Sequence, residues 1–380
     1  MNLHSRATAC LRAGLFGAGL AVALASCGGG GGDGGNSMQM MTPPPTTPTI
    51  AGAFATRPLV ADSGSGAAHL DGHLVNAWGL AFNPTGFAWV ANNGSATSTL
   101  YDGDGVPQTL VVAIPPGSSG TSSPTGIVYN GSTSFQVTQN GVSGASAFIF
   151  ATENGTLSGW SPAVNRNNAV LVVDTGATGA VYKGLAIATY AGANYLYAAD
   201  FRNARVDVYD ASWHRVTLPG GAFADPNLPA GYAPFGIQAI GGRIVVAYAQ
   251  RTTGSIDETK GAGLGVVDVF DASGALVKRL VTGGALNAPW GIAMAPANFG
   301  GASNMLLVGN FGDGKINVYN PDTGAFAGTL MRADGSAIVI DGLWGIAFGN
   351  GVSNQPTNTL FYTAGPGDEE HGLYGRIDAQ

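Results

Sequence analysis

One short pattern recurs through most of the chain and limits what it can fold into. A glycine is followed by two or three apolar residues at Trp78-Gly79-Leu80-Ala81-Phe82, Thr125-Gly126-Ile127-Val128, Lys183-Gly184-Leu185-Ala186-Ile187, Phe235-Gly236-Ile237, Trp290-Gly291-Ile292-Ala293 and Trp344-Gly345-Ile346-Ala347-Phe348. Successive glycines lie 47, 58, 52, 55 and 54 residues apart. A period near fifty residues marks a repeat architecture in which each repeat is one supersecondary unit.

Each repeat continues in the same order. A second apolar run ends in a polar residue or glycine, as in Ala88–Asn92, Phe148–Glu153, Tyr195–Asp200, Ile244–Gln250, Leu306–Asn310 and Leu360–Gly365. A third run alternates, as in Arg205-Val206-Asp207-Val208-Tyr209-Asp210, and turn residues such as Pro321-Asp322-Thr323-Gly324 follow. A fourth run closes the unit at Thr109–Ala113, Val170–Val173, Val277–Leu280 and Ala325–Leu330. Alternation with β-branched and aromatic residues reads as strand. Six units of four strands predict an all-β, six-bladed β-propeller with four-stranded antiparallel blades. The glycine lies where inner strands crowd the axis, and the aromatic beside it fills the wedge between blades. The sixth repeat ends after its third run. The strand-like Ala55–Ala61 is therefore expected to complete the last blade and close the ring.

The first 52 residues follow other rules. Residues 1–26 read as a signal peptide, with Arg6 and Arg12 before an apolar run, Leu15 to Ala25, too short to span a bilayer. Its end, Leu24-Ala25-Ser26-Cys27, resembles the lipobox of bacterial lipoproteins, which implies lipid on Cys27, a membrane anchor and an outer-membrane address in the cell envelope. Residues 27–52 form a Gly- and Pro-rich tether, and 53–380 the propeller. Of the two cysteines, Cys10 is removed and Cys27 carries lipid, which leaves no thiol for a disulfide or a nucleophile.

The repeats also resemble a specific group. Leu74-Val75-Asn76-Ala77-Trp78-Gly79, Ala295-Pro296-Ala297-Asn298-Phe299-Gly300, Gly309-Asn310-Phe311-Gly312-Asp313-Gly314 and Asp368-Glu369-Glu370-His371-Gly372-Leu373-Tyr374-Gly375 are similar to motifs of an uncharacterised bacterial secreted propeller family associated with the PEP-CTERM sorting system. The likeness spans about residues 54–380, with Ala77 where proline is expected. It implies fold and export but no reaction. More broadly, the repeat resembles NHL, lactonase-type and streptogramin-lyase-type propellers.

Loops leading into first strands and loops leaving second strands are expected on one face. That places Asn76, Trp78, Asn92, Glu153, Asp200, Asn310, Trp290 and Trp344 on a candidate ligand face. Their roles are either sugar stacking and oxygen ligation, or blade packing and turn formation. His69, His73, Glu370 and His371 form a candidate zinc site. Glu153, Asn92, Asp200 and Asn310 form a candidate axial calcium site of the lactonase type. Two long segments, Arg251–Ala262 with Asp257, Glu258 and Lys260, and Leu218–Pro234, are expected to overhang this face.

Charge narrows the partners. The 16 basic against 23 acidic residues give a net charge of −7, which argues against a nucleic-acid partner. Two functions remain open: a lipid-anchored module binding a small molecule, glycan or protein, and a metal-dependent hydrolase or lyase of lactonase or streptogramin-lyase type.

Overall fold

The computed structural model describes residues 49–380 except Ser65 and Ser119. The signal segment, Cys27 and most of the tether lie outside the described residues. The repeats form six small antiparallel sheets. Inner strands are Ala77–Phe82, Pro124–Tyr129, Tyr182–Tyr190, Tyr232–Ile240, Pro289–Met294 and Leu343–Phe348.

The recurrent glycine has a steric cause that runs round the ring. A Cβ on Gly79 would strike the Thr125 carbonyl, one on Gly126 the Leu185 amide, and one on Gly184 would sit 3.0 Å from the Phe235 carbonyl. One on Gly236 would strike the Trp290 carbonyl, and those on Gly291 and Gly345 would lie 2.6 and 2.7 Å from the Trp344 and Trp78 carbonyls. Each glycine thus abuts the backbone of the following blade, and the sixth abuts the first. Only a residue without a side chain tolerates that approach.

Phe54–Ala61 pairs antiparallel with Leu373–Ala379, from Phe54 opposite Ala379 to Ala61 opposite Leu373. It is the fourth strand of the sixth sheet, and His69–Leu70 adds a short parallel strand outside it. Phe54, Leu59 and Val60 are fully buried there.

Two features depart from the expected plan. The third blade stops at three strands, because Val216 N–H donates to the Val208 carbonyl (2.8 Å) and the chain then leaves the ladder. The second blade carries an inserted hairpin, Gln136–Gln139 with Val142–Ala145, anchored by buried Phe135 and Val137. That insertion accounts for the longest spacing, 58 residues.

Candidate functional site

In every blade the residue leaving the second strand donates its N–H to a residue leading into the first. Asn93 bonds Asn76, Glu153 bonds Ser123, Phe201 bonds Val181, Arg251 bonds Gly231, Phe311 bonds Ala288 and Gly365 bonds Gly342. The two loop sets therefore share one face, at the N-terminal ends of the inner strands.

At this mouth the axis is filled with rings. Trp78 stacks on Trp344 with centroids 3.6 Å apart, and Phe311 covers the other side of Trp344 at 4.0 Å. Trp290 meets both tryptophans edge-on, and Phe235 and Phe201 complete the cluster. Below the plug the channel narrows to a cavity of about 30 Å³, lined by Gly79, Gly126, Gly291 and Gly345 among others. The opposite end, by contrast, holds a cavity of about 300 Å³ lined by Phe82, Tyr129 and Ile187.

A polar network rests on the plug. Asn76 is its hub and has a left-handed backbone, φ +48°, which asparagine tolerates better than most residues. Its Oδ1 accepts from Trp78 Nε1 (2.9 Å) and Trp344 Nε1 (3.2 Å). Its Nδ2 donates to Glu369 Oε2 (2.7 Å) and, at 3.4 Å, to Asn93 Oδ1. Asn93 Nδ2 donates to Glu153 Oε2 (3.0 Å), and Lys183 Nζ donates to Glu153 Oε1 (2.6 Å). Trp290 Nε1 donates to the Lys183 carbonyl (2.8 Å). Glu369 and its neighbour Asp368 also carry positive φ, +68° and +54°. Such backbone strain concentrates at functional loops.

Lys183 is the buried cation of this network, its side chain 3% exposed and its ammonium 5.1 Å from the Trp78 ring centroid. Desolvation pulls its pKa down, but the charges of Glu153, Glu258 and Asp257 more than offset this and the net shift is upward. The segment Arg251–Ala262 supplies the roof. Asp257 Oδ1 lies 3.7 Å from Lys183 Nζ with its side chain 73% exposed. Lys260 Nζ sits 4.3 Å from the Phe311 centroid. Glu258 is pushed above the ordinary glutamate value by burial, against the pull of Lys183. Glu369 is raised as well, again by burial first, against the Asn76 hydrogen bond and the charge of Lys183. Four carboxylates, Glu153, Asp257, Glu258 and Glu369, thus face two ammonium groups, Lys183 and Lys260, and the Arg251 guanidinium, 5.8 Å from the Phe201 centroid, over an aromatic floor. Aromatic faces and carboxylates are the groups that attract organic cations.

The other expected site residues are dispersed. Asn92 donates to Thr97 and Thr99, Asp200 accepts from Val181 and Asn203, and Asn310 donates to Ala285 and Asp313. Each serves its own blade's turn, so the expected calcium set of Asn92, Glu153, Asp200 and Asn310 does not converge. His371 Nδ1 pairs with Asp62 (3.0 Å), which raises its pKa, while His73 Nδ1 pairs with Asp71 (3.0 Å). His69 stands on the outer strand and Glu370 is exposed. Among the described residues no three His, Cys, Asp or Glu side chains are grouped to hold a metal ion. The zinc arrangement of His69, His73, Glu370 and His371 is therefore not formed, because separate aspartates capture two of its histidines. Trp78 and Trp344 are packing residues, 1% and 0% exposed, and Trp290 is half-buried beside them.

Lys183 joins the network although the repeat pattern alone does not mark it as a site residue. It holds the position before the repeat glycine, where the other repeats have Trp, Thr or Phe. A single charge at that place in the pattern was the available signal.

These features define a six-bladed β-propeller with a sealed, carboxylate-rich mouth. Solved structures share the fold: a protein of unknown function from Bacteroides thetaiotaomicron VPI-5482 has a TM-score of 0.53 at 9% identity, covering 87% of this chain and 77% of that one. A glucose dehydrogenase has a TM-score of 0.51 at 12% identity, covering 86% and 100%. Virginiamycin B lyase from Staphylococcus aureus aligns over 86% and 99% at 12% identity with a TM-score of 0.47. The chain belongs to the family of two uncharacterized proteins of Acanthamoeba polyphaga mimivirus. Protein R648 is 32% identical over 325 residues, 84% of this chain and 78% of that protein. Protein L690 is 33% identical over 321 residues, 82% of each. No family model matches the chain.

Proposed function

We propose that this propeller is a binding module for an organic cation, an alkylammonium group on a small molecule or a peptide, taken at the plugged mouth. The carrying observation is the excess of four carboxylates over three cationic side chains, Lys183, Arg251 and Lys260, on an aromatic floor, with Lys260 resting on Phe311. Lys260 comes from an exposed position on the overhanging segment and occupies the place an incoming ammonium would take. A ligand displaces it and gains the same cation–π contact, together with the charge of Glu369 and Glu258. The lipobox-like Leu24-Ala25-Ser26-Cys27 is what supports a lipid-anchored module in the cell envelope.

The test is a titration with spermidine at low ionic strength, followed by tryptophan fluorescence. Quenching that saturates in the wild type and weakens several-fold in Glu369→Gln supports the proposal. Equal response to spermidine and to an uncharged polyol, or no response, refutes it.

A further inference from the structure

The seam between the third and fourth blades is closed by an irregular segment instead of a strand. After Val216 the chain crosses outward, and Leu218, Ala222, Phe223 and Leu228 pack into the core the two blades share. Phe223 N–H donates to the Gly274 carbonyl (2.7 Å), which ties the segment to the fourth blade. The segment also delivers Asp225 to Arg279, whose Nε donates to Asp225 Oδ2 (2.6 Å). The side chain of Asp225 is only 2% exposed.

A second acid lies in the same place. Asp268, on the strand Val266–Asp271, has a fully buried side chain, and its Oδ1 is 3.9 Å from Arg279 Nε, beyond hydrogen-bond reach. Neither of its oxygens has a hydrogen-bond partner, and neither has the hydroxyl of Tyr248 on the adjacent strand. The groups facing one another are Asp225 from the segment, Asp268 and Arg279 from the third and fourth strands, and Tyr248 from the second. Burial holds Tyr248 far above its ordinary value, so it stays neutral. Two carboxylates therefore share one guanidinium where no other donor reaches Asp268. A buried carboxylate without donors favours its neutral form.

We propose that Asp225 and Asp268 share one proton, forming an acid–carboxylate latch that pins residues 217–231 over the seam and lets go as pH rises. Protonated, Asp268 donates its O–H to Asp225, and Arg279 neutralises the charge that remains. Deprotonated, the two carboxylates repel and compete for Arg279. Burial first, and then the charge of Asp225, lift Asp268 to about 7 against the pull of Arg279. The segment ends at the mouth, where the Gly231 carbonyl accepts the Arg251 N–H (2.8 Å) at the start of the overhanging segment.

The sign follows from linkage. With the segment open, Asp268 regains a pKa of about 3.9. Closed, it holds its proton to about 7. The opening constant rises about tenfold per pH unit between about 4 and 7, then levels off. Hydrogen exchange of the Phe223 and Leu228 amides in the full chain, corrected for intrinsic rates, reads this constant. The wild type is expected to show that rise, and Asp268→Asn, neutral and of the same shape, a flat profile. A flat wild-type profile, or a rise that survives in Asp268→Asn, overturns the proposal. If Asp268→Asn does not fold, infrared titration of the wild type decides. Loss of a protonated-carboxyl band through neutrality supports the latch, and no such loss overturns it.

Discussion

Replacing Asn76 tests the network at its hub. The variant Asn76→Gly keeps the left-handed backbone available and removes the side chain, with its bonds to Glu369 and Asn93 as well as to the two indoles. Trp78 Nε1 and Trp344 Nε1 then lose their acceptor, and both indoles are fully buried. Each unsatisfied buried donor costs about 1–3 kcal/mol, so the loss is roughly 2–6 kcal/mol. Asn76→Ala adds about 1–2 kcal/mol more, because alanine disfavours a left-handed backbone. Urea denaturation followed by tryptophan fluorescence measures both. The order of stability is expected to be wild type, then glycine, then alanine. A double-mutant cycle with Trp78→Phe isolates one bond and should return a coupling of about 1 kcal/mol. A loss below about 1 kcal/mol in Asn76→Gly, or no coupling, refutes the description of Asn76 as an acceptor shared by two tryptophans.

Other consequences are as direct. Gly236→Ala forces a Cβ into the Trp290 carbonyl and is expected to lower stability by about 1–3 kcal/mol, whereas Gly72→Ala, in open space, changes it by less than about 0.5 kcal/mol; thermal denaturation compares them. Cation binding at the mouth should weaken as pH falls, because Glu258 and Glu369, both raised above the ordinary glutamate value, take up protons and stop attracting the ligand. The midpoint of that loss, read from spermidine titrations at several pH values, should lie above about 4.5. Cys27→Ser, followed by labelling with a radioactive fatty acid in a bacterial host, should abolish label on the protein and free it from the membrane fraction.

The blades were legible because their cause is local and repeated. Each inner glycine is required by a neighbouring backbone, so Gly79, Gly126, Gly184, Gly236, Gly291 and Gly345 print the ring into the sequence at a fixed period. The shared loop face was legible for the same reason. Chemistry at that face was less so. Asn92, Asp200 and Asn310 have the residue types of metal ligands, but an oxygen at a strand end also satisfies turn amides, and the turns hold them. His371 and His73 were expected to meet, but Asp62 and Asp71 are nearer partners. Asp257, Glu258 and Lys260 were visible as charges on a long segment, and it is their meeting with Lys183 across the ring that needed the structure. The three-stranded third blade left a faint trace, since no fourth apolar run follows Tyr209 before the segment Leu218–Pro234.

The proposed cation site requires that Lys260 hold a place meant for another cation. Isothermal titration of spermidine into the wild type and Lys260→Ala at low ionic strength tests it most directly. Removing the lysine vacates the Phe311 face and deletes one positive charge, so Lys260→Ala is expected to bind several-fold more tightly, with the difference shrinking as salt is added. Weaker binding in Lys260→Ala, or no binding to either protein, contradicts it.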